Sequence, residues 1–382
     1  MLSVDPRAYS DTTPRAQGNE LPEGLEVVRA FGLDTARHLS MRGRYPMALA
    51  LPDRWATWRY WAVRAARRII RERNVSAIFS TFPIATAHRI GLDVARLTGL
   101  PWIAEFRDPM WQGDYPPEPR INDCWRQLEA EVFACAQRVA VVTPGAAATY
   151  RARFPQFDPA HVALIENGYD EETFERASDS EPIQERRPSG AGPVTLLHSG
   201  IIYPNERDPE PLFRALAALR SAEAITPDTL RIVLRASGNE SQYAARLNQL
   251  AIADIVRLEP PIPYLAALQE MLSVDGLLVL QGASCNAQIP AKLYEYLRAG
   301  RPILALTDPA GDTATTLRAA GGGVIARLDS QAEIERSLVA FLAQLREGSA
   351  PRASRHSAQR YSRRAQSGEL ARLLDLMVEE RR

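Results

Sequence analysis

The sequence predicts an α/β protein of two doubly wound parallel-sheet domains, and three observations carry that expectation. At 382 residues the chain exceeds the roughly 250–300 residues at which a single core stops growing. Short β-branched or apolar runs alternate with longer helical patterns from residue 25 to residue 347, and such alternation means parallel strands joined by right-handed helical crossovers. Residues 171–192 are polar, charged and broken by proline and glycine, as a linker between domains would be. The expected division is therefore 1–170, a linker 171–192, a second domain 193–352 and a C-terminal segment 353–382.

The elements follow in order from the same patterns. In the first half, the β-branched or apolar runs 25–31, 76–82, 102–106, 138–143 and 162–166 read as strands, and 54–73, 84–98, 120–137 and 144–154 as the helices between them. In the second half strands are expected at 194–199, 230–236, 255–259, 276–281, 301–306 and 323–328, again separated by helices. Residues 356–380 read as one long amphipathic helix with Leu370, Leu373, Leu374 and Met377 on a single face. The start of the chain is unusual. A Rossmann-like half opens with a strand, a glycine-rich turn and a helix, whereas Met1–Pro6 reads as the tail of a strand, so the N-terminal domain is expected to be without its first strand and glycine-rich turn.

Composition narrows the function classes. The 46 basic residues balance 46 acidic ones, which removes the bulk electrostatic argument for nucleic-acid binding. Hydrophobic content of 46% with 24% charged is that of an ordinary globular protein and excludes disordered, collagen-like and coiled-coil classes. Cys124, Cys135 and Cys285 are odd in number and lack paired spacing, so neither a disulfide framework nor a zinc site is indicated and a reducing cytoplasm is expected. No apolar run approaches the ~20 residues that span a bilayer. Of the 46 cations one alone is a lysine, Lys292. The arginine bias fits a G+C-rich genome, and it makes the surviving lysine worth locating.

Two stretches carry candidate chemistry. Strand 194–199 ends in His198-Ser199-Gly200, and a loop bearing Arg207 then runs into a helix near Asp208-Pro209. The glycine permits close backbone approach, the helix start offers unpaired N–H groups, and the arginine stands within reach of an anion. Further on, Asn286–Pro302 places Lys292 and Glu295 one turn apart at the start of a helix that ends at Gly300. A nucleotide needs a cation for phosphate and a carboxylate for its ribose hydroxyls, and Lys292 with Glu295 offers both. A solvent-facing ion pair is the plainer alternative, and the presence of lysine where arginine is written everywhere else weighs against it.

With these motifs the chain resembles the GT-B glycosyltransferases, in particular the family 4-like retaining enzymes of bacterial polysaccharide synthesis, over essentially its whole length. The resemblance rests on His198-Ser199-Gly200, Arg207 and the run Pro290–Leu306. It implies two Rossmann-like domains facing a cleft, a nucleotide-sugar site in the second, and a C-terminal helix returning to the first. Glu295 matches the family's ribose-contacting glutamate. Ala287, eight residues earlier, stands where the family has its first glutamate, leaving Gln288 or the backbone N–H groups of 286–289 to meet the donor sugar. Ile201 replaces the usual arginine after the loop glycine, so Arg207 and Lys292 become the basic pair, with Gly200 lending space. Arg107 occupies the position at which such enzymes often carry a histidine; Arg107 would stabilise the leaving diphosphate and Asp108 orient an acceptor hydroxyl. Asn167-Gly168-Tyr169 resembles the turn preceding the hinge and reads as positioning backbone, and His88 reads as a core histidine.

The activity implied is transfer of a hexosyl unit from a nucleotide diphosphate sugar, a substrate rather than a cofactor, to a polysaccharide or lipid-linked acceptor. No cofactor or metal is implied, since no Asp-x-Asp pair falls in a cleft loop. A nucleotide-sugar epimerase of the same fold and a catalytically silent partner subunit are the alternatives. Residues 38–73 hold nine arginines against Asp53 and Glu72, with Trp55, Trp58, Tyr60 and Trp61 among them. Basic residues interleaved with interfacial aromatics suit peripheral contact with anionic lipid at the inner face of the plasma membrane.

Overall fold

The structure, a computed structural model, describes residues 1–8, 24–179 and 192–380. The chain divides into two compact units: residues 1–142, 146–165 and 370–382 form the first, and residues 143–145 and 166–369 the second.

In the N-terminal unit the elements run β1 (Leu2–Val4), β2 (Val28–Ala30), α1 (Thr35–His38), α2 (Trp58–Glu72), β3 (Ile78–Phe82), α3 (Ala85–Thr98), β4 (Trp102–Phe106), α4 (Pro119–Cys135), β5 (Arg138–Val141), α5 (Pro144–Arg153) and β6 (Val162–Leu164). Strands β3 to β6 form one parallel sheet in sequence order, and β1 pairs with β2, also in parallel, as a separate two-stranded sheet. Of the six residues read as a strand's tail, Leu2–Val4 form β1, whose edge and that of β3 do not pair. Met1–Val4 and Ile78–Thr81 instead line one apolar cavity of about 720 Å³, with Ile69, Ile70 and Ile90 among the side chains from α2 and α3. The main core of the unit packs α3, α4 and α5 against the sheet through Phe106, Trp102, Phe133 and Tyr150. Gly91 is required there, because a Cβ on it would lie 2.8 Å from the Trp102 ring.

The second unit contains α6 (Glu171–Asp179), β7 (Val194–Ser199), α7 (Glu210–Ser221), β8 (Leu230–Arg235), α8 (Glu240–Gln249), β9 (Val256–Glu259), α9 (Tyr264–Ser273), β10 (Gly276–Gln281), α10 (Lys292–Ala299), β11 (Ile303–Thr307), α11 (Asp312–Ala319), β12 (Val324–Ala326), α12 (Gln331–Glu347), α13 (Arg355–Gln359) and α14 (Arg363–Glu379). Its six strands are all parallel in the order β12-β11-β10-β7-β8-β9. Both faces are covered, one core holding Leu212, Phe213, Leu216 and Phe341 and the other Leu268, Leu293, Tyr294 and Tyr361. Strands buried on both faces read as continuous apolar runs, as Gly276–Gln281 does.

Two expectations need correction. The stretch 171–192 does not begin as a linker: Glu171–Asp179 is helix α6, with Phe174 and Ala177 buried and Glu171 paired to Arg298; residues 180–191 lie outside the described residues. The single helix 356–380 is two helices. Tyr361 and Ser362 interrupt it, because Tyr169 donates its N–H to the Tyr361 carbonyl at 3.1 Å and accepts from Arg363 N–H at 2.8 Å. Gly168 makes that approach possible, since a Cβ there would stand 2.3 Å from the Tyr361 oxygen. From Leu370 onward α14 belongs to the N-terminal unit, where Met377 is buried with Ile103, Ala140 and Ile165.

Candidate functional site

The strand order places a topological switch between β7 and β10: the chain leaves β7 outward through β8 and β9 and returns on the other side through β10, β11 and β12. Loops diverge there at the strands' carboxyl ends and open a crevice. The β7–β10 ladder is short, pairing Leu196 with Gly276 and Leu197 with Leu277. The next contact is a side chain: His198 Nδ1 lies 2.9 Å from the Leu278 carbonyl, and the ring is wholly buried. A carbonyl only accepts, so Nδ1 carries the proton and Nε2 a lone pair. Lys292 Nζ sits 2.9 Å from that Nε2 and donates to it.

The remaining residues are fixed by the same two loops and α10. Gly282 N–H donates to the Glu206 carbonyl at 2.7 Å, and a Cβ on Gly282 would come within 2.4 Å of that oxygen. This close approach ties the Arg207 loop to the loop after β10. The Arg207 side chain is 12% exposed, stacks over Tyr203, reaches Glu206 only at 3.4 Å, and leaves Nε buried without a hydrogen-bond partner among the described residues. Helix α10 is seated by Leu293, Tyr294, Tyr296 and Leu297, all buried, and Tyr296 Oη accepts from Ser199 N–H at 2.8 Å. Its C-terminal Gly300 is left-handed at φ 65°, the C′ glycine the sequence predicts. Glu295 Oε1 accepts from Tyr264 Oη at 2.7 Å.

Gly200 has φ +110°, and a Cβ there would stand 3.2 Å from Lys292 Nζ. Any side chain would be strained and would crowd the ammonium, so glycine keeps that side of Nζ open. Burial, and then the positive charge of Arg207, depresses the Lys292 pKa to about 7 against the pull of Glu295. Burial raises the Glu295 carboxyl, and burial with the neighbouring Lys292 charge holds His198 far below the usual histidine range. Two half-buried cations that disfavour one another, beside a neutral imidazole, form a pocket that an anion would relieve.

The structure thus gathers Gly200, Arg207 and Glu295 around Lys292. Gln288 stands in the adjoining loop, its N–H donating to the Cys285 carbonyl at 2.9 Å and its own carbonyl accepting from Thr313 Oγ1 at 3.2 Å. Arg107 and Asp108 belong to the other unit, exposed just beyond β4. Their loop is held from behind: Met110 N–H donates to Tyr150 Oη at 3.0 Å, and Trp111 N–H and Tyr150 Oη each donate to Glu129 Oε2 at 3.1 Å. Glu129 also pairs with Arg153 and is 1% exposed. His88 is a core residue, its Nδ1 2.8 Å from Ser80 Oγ, which also accepts from Trp102 Nε1 at 2.9 Å; burial holds its pKa near 3. Sequence reasoning missed Tyr264, Tyr296, Glu129 and Tyr150 and gave His198 no role. Lys292 and His198 are 94 positions apart, and no local pattern marks such a pair.

Two sets of parallel strands, one in each unit and the second doubly wound about a central switch, with a cation-lined crevice beyond the switch strands of the second unit, define the class: a GT-B-type protein of two Rossmann-like domains. Residues 24–173 match the family described as Glycosyltransferase Family 4. A glycosyltransferase from Rickettsia africae ESF-5 superposes with a TM-score of 0.61 at 10% identity, over 92% of this chain and 85% of that one. Sucrose-phosphate synthase from Thermosynechococcus elongatus gives 0.62 at 13% identity, over 95% and 87%. Anabaena HepE, in complex with UDP-glucose, gives 0.57 at 13% identity, over 82% of each. At these identities the likeness is one of fold. A search of curated proteins finds no sequence match.

Proposed function

We propose that this protein is a glycosyltransferase that moves a hexosyl unit from a nucleotide diphosphate sugar to a polysaccharide or lipid-linked acceptor, with retention of configuration. The observation that carries the donor half is the pair of cations at the switch point, Arg207 with a buried Nε that has no hydrogen-bond partner among the described residues and Lys292 held on a neutral imidazole. A diphosphate that departs with the developing negative charge is stabilised by preorganised cations of this kind, commonly the largest electrostatic contribution to group transfer. Glu295 accepts from ribose hydroxyls, and the Gln288 side chain meets the sugar, since the backbone N–H groups of Asn286 and Gln288 are already donated within the loop, to the Ala283 and Cys285 carbonyls. The UDP-glucose held by Anabaena HepE, of the same fold, supports a nucleotide-sugar donor. On the N-terminal unit Arg107 and Asp108 serve the acceptor and the leaving group.

The same unit supports contact with an anionic membrane. Helix α2 buries Trp58 and Ala62 and turns Tyr60, Trp61, Arg64, Arg67, Arg68 and Arg71 to a groove of about 1240 Å³. Tyr60 and Trp61 are 67% and 39% exposed, while Trp55 packs inside. Among the described residues no helix is long and apolar enough to cross a membrane, so contact would be peripheral.

Isothermal titration with UDP, ADP and GDP tests the donor site. One of them is expected to bind, and Lys292→Ala and Glu295→Ala to weaken it, Lys292→Ala by about 10- to 100-fold, the scale of lost hydrogen bonds to a charged group. Unchanged binding in both variants would sink the assignment.

A further inference from the structure

We propose that His198 is a positioning residue for donor binding: its imidazole bridges β7 to β10 where the ladder ends and presents Nε2 as a fixed acceptor that aims the Lys292 ammonium into the crevice. The inference rests on the donor-site reading above and goes beyond it, since His198 touches no ligand and acts through another side chain.

The geometry leaves the ring one arrangement. Nδ1 faces the Leu278 carbonyl at 2.9 Å, and Nε2 faces Lys292 Nζ, also at 2.9 Å. An Nε2–H tautomer would set a donor against the lysine and orphan Nδ1 at a carbonyl; an imidazolium would set two buried cations in contact. The neutral Nδ1–H ring satisfies both partners. A lysine side chain is a flexible point charge with about 2 kcal/mol of rotamer entropy, and a single rigid acceptor removes part of that cost before the ligand arrives. One ammonium hydrogen is committed to His198, which leaves two for a ligand. The charged and titratable groups around Nζ come from each adjoining element: His198 on β7, Arg207 in the following loop, Glu295 on α10 itself, and Tyr264 on α9 through its bond to Glu295. Only His198 is hydrogen-bonded to Nζ in this set. Gly200, without a side chain, leaves the far side of Nζ clear.

The sole lysine makes the test direct. In full-length protein carrying 13Cε-lysine, one ε-methylene resonance reports Lys292 ionisation without any ligand. His198→Asn keeps a donor for Leu278 and withdraws the acceptor for Lys292; His198→Gln keeps an acceptor near the Nε2 position. The Lys292 midpoint is expected to fall by about half a pH unit or more in His198→Asn, the scale of one charge-assisted hydrogen bond, and to stay near wild type in His198→Gln. Affinity for the nucleoside diphosphate that binds wild type is expected to drop about tenfold in His198→Asn and to recover to within about twofold in His198→Gln. Wild-type midpoint and affinity in both variants would overturn the proposal. Wild type that binds no nucleoside diphosphate would defeat the donor-site reading, while the ligand-free titration still decides the link between His198 and Lys292. If His198→Asn does not fold, 15N-histidine spectra of wild type decide: a neutral Nδ1–H ring from about pH 5.5 to 8.5 upholds the role, and an Nε2–H or charged ring overturns it.

Discussion

The carboxyl end of β4 and the carboxyl ends of β7 and β10 are the same kind of place, strand-to-loop turns of parallel sheets, and they handle charge in opposite ways. Beyond β7 and β10 the charged groups are half-buried and oriented by other side chains: Lys292 by His198, Glu295 by Tyr264. Beyond β4, Arg107 and Asp108 are exposed, and the order lies one layer down, where Glu129 and Tyr150 hold the backbone of residues 110 and 111. The difference teaches that a site can be fixed through its side chains or through the loop that carries them. Burial shifts proton affinity in the first case; in the second the charged side chains face solvent and the fixed part is the backbone beneath them.

The largest effect expected on that contrast is at Glu129. Glu129→Leu removes the acceptor for Trp111 N–H and Tyr150 Oη and strands Arg153, whose side chain is 21% exposed. Breaking a buried pair by deleting one partner costs about 3–5 kcal/mol, so urea unfolding of the N-terminal unit should shift by that order, and glycosyl transfer should fall with it as the 107–111 loop loosens. A variant that unfolds at the wild-type midpoint would show that the loop is held by something other than this cluster.

Most of the architecture is legible in the sequence because it rests on periodicity. Each strand expected at 25–31 and beyond is present, shortened by one to four residues in most cases, since apolar runs announce burial but not where pairing stops. What sequence patterns miss depends on partners distant along the chain. The break at Tyr361 and Ser362 exists because Tyr169 reaches them through backbone hydrogen bonds, and helix α6 is anchored by Arg298, 127 positions away. Lys292 could be singled out because it alone is not arginine. His198 lies two residues before a glycine in an ordinary strand end, and its meaning arises only when β10 lies next to β7.

A smaller effect separates lysine from arginine at position 292. Because the folded pKa is about 7 and the unfolded one 10.5, the folded protein binds fewer protons between those values, and stability should rise with pH across that window. Diphosphate affinity runs the other way, since the anion needs the ammonium: it should fall above about pH 7, at most about tenfold per unit. Lys292→Arg, permanently charged, should bind more weakly at pH 6.5, its planar fork fitting poorly beside Gly200, and should show no such decline. Calorimetry across pH checks both; a flat wild-type profile would mean that Lys292 keeps its charge despite burial, and the contrast between buried and exposed charge would lose its chemical consequence.

The smallest effect concerns charges that burial leaves alone. Arg59 on α2 is engaged by Asp93 through two hydrogen bonds of 2.5 and 2.9 Å, whereas Arg64, Arg67, Arg68 and Arg71 are exposed along the aromatic edge of the same helix. A cation near an anionic bilayer contributes about 1 kcal/mol, screened within a Debye length. Arg68→Gln should therefore weaken sedimentation with phosphatidylglycerol vesicles about fivefold at low salt and leave nucleoside diphosphate binding untouched, and Trp61→Ala should add to it. Arg59→Gln should change vesicle binding less than Arg68→Gln, because its charge is already spent on Asp93. Equal losses from both would indicate a diffuse electrostatic attraction, and no dependence on anionic lipid would return the exposed face of α2 to plain solvation.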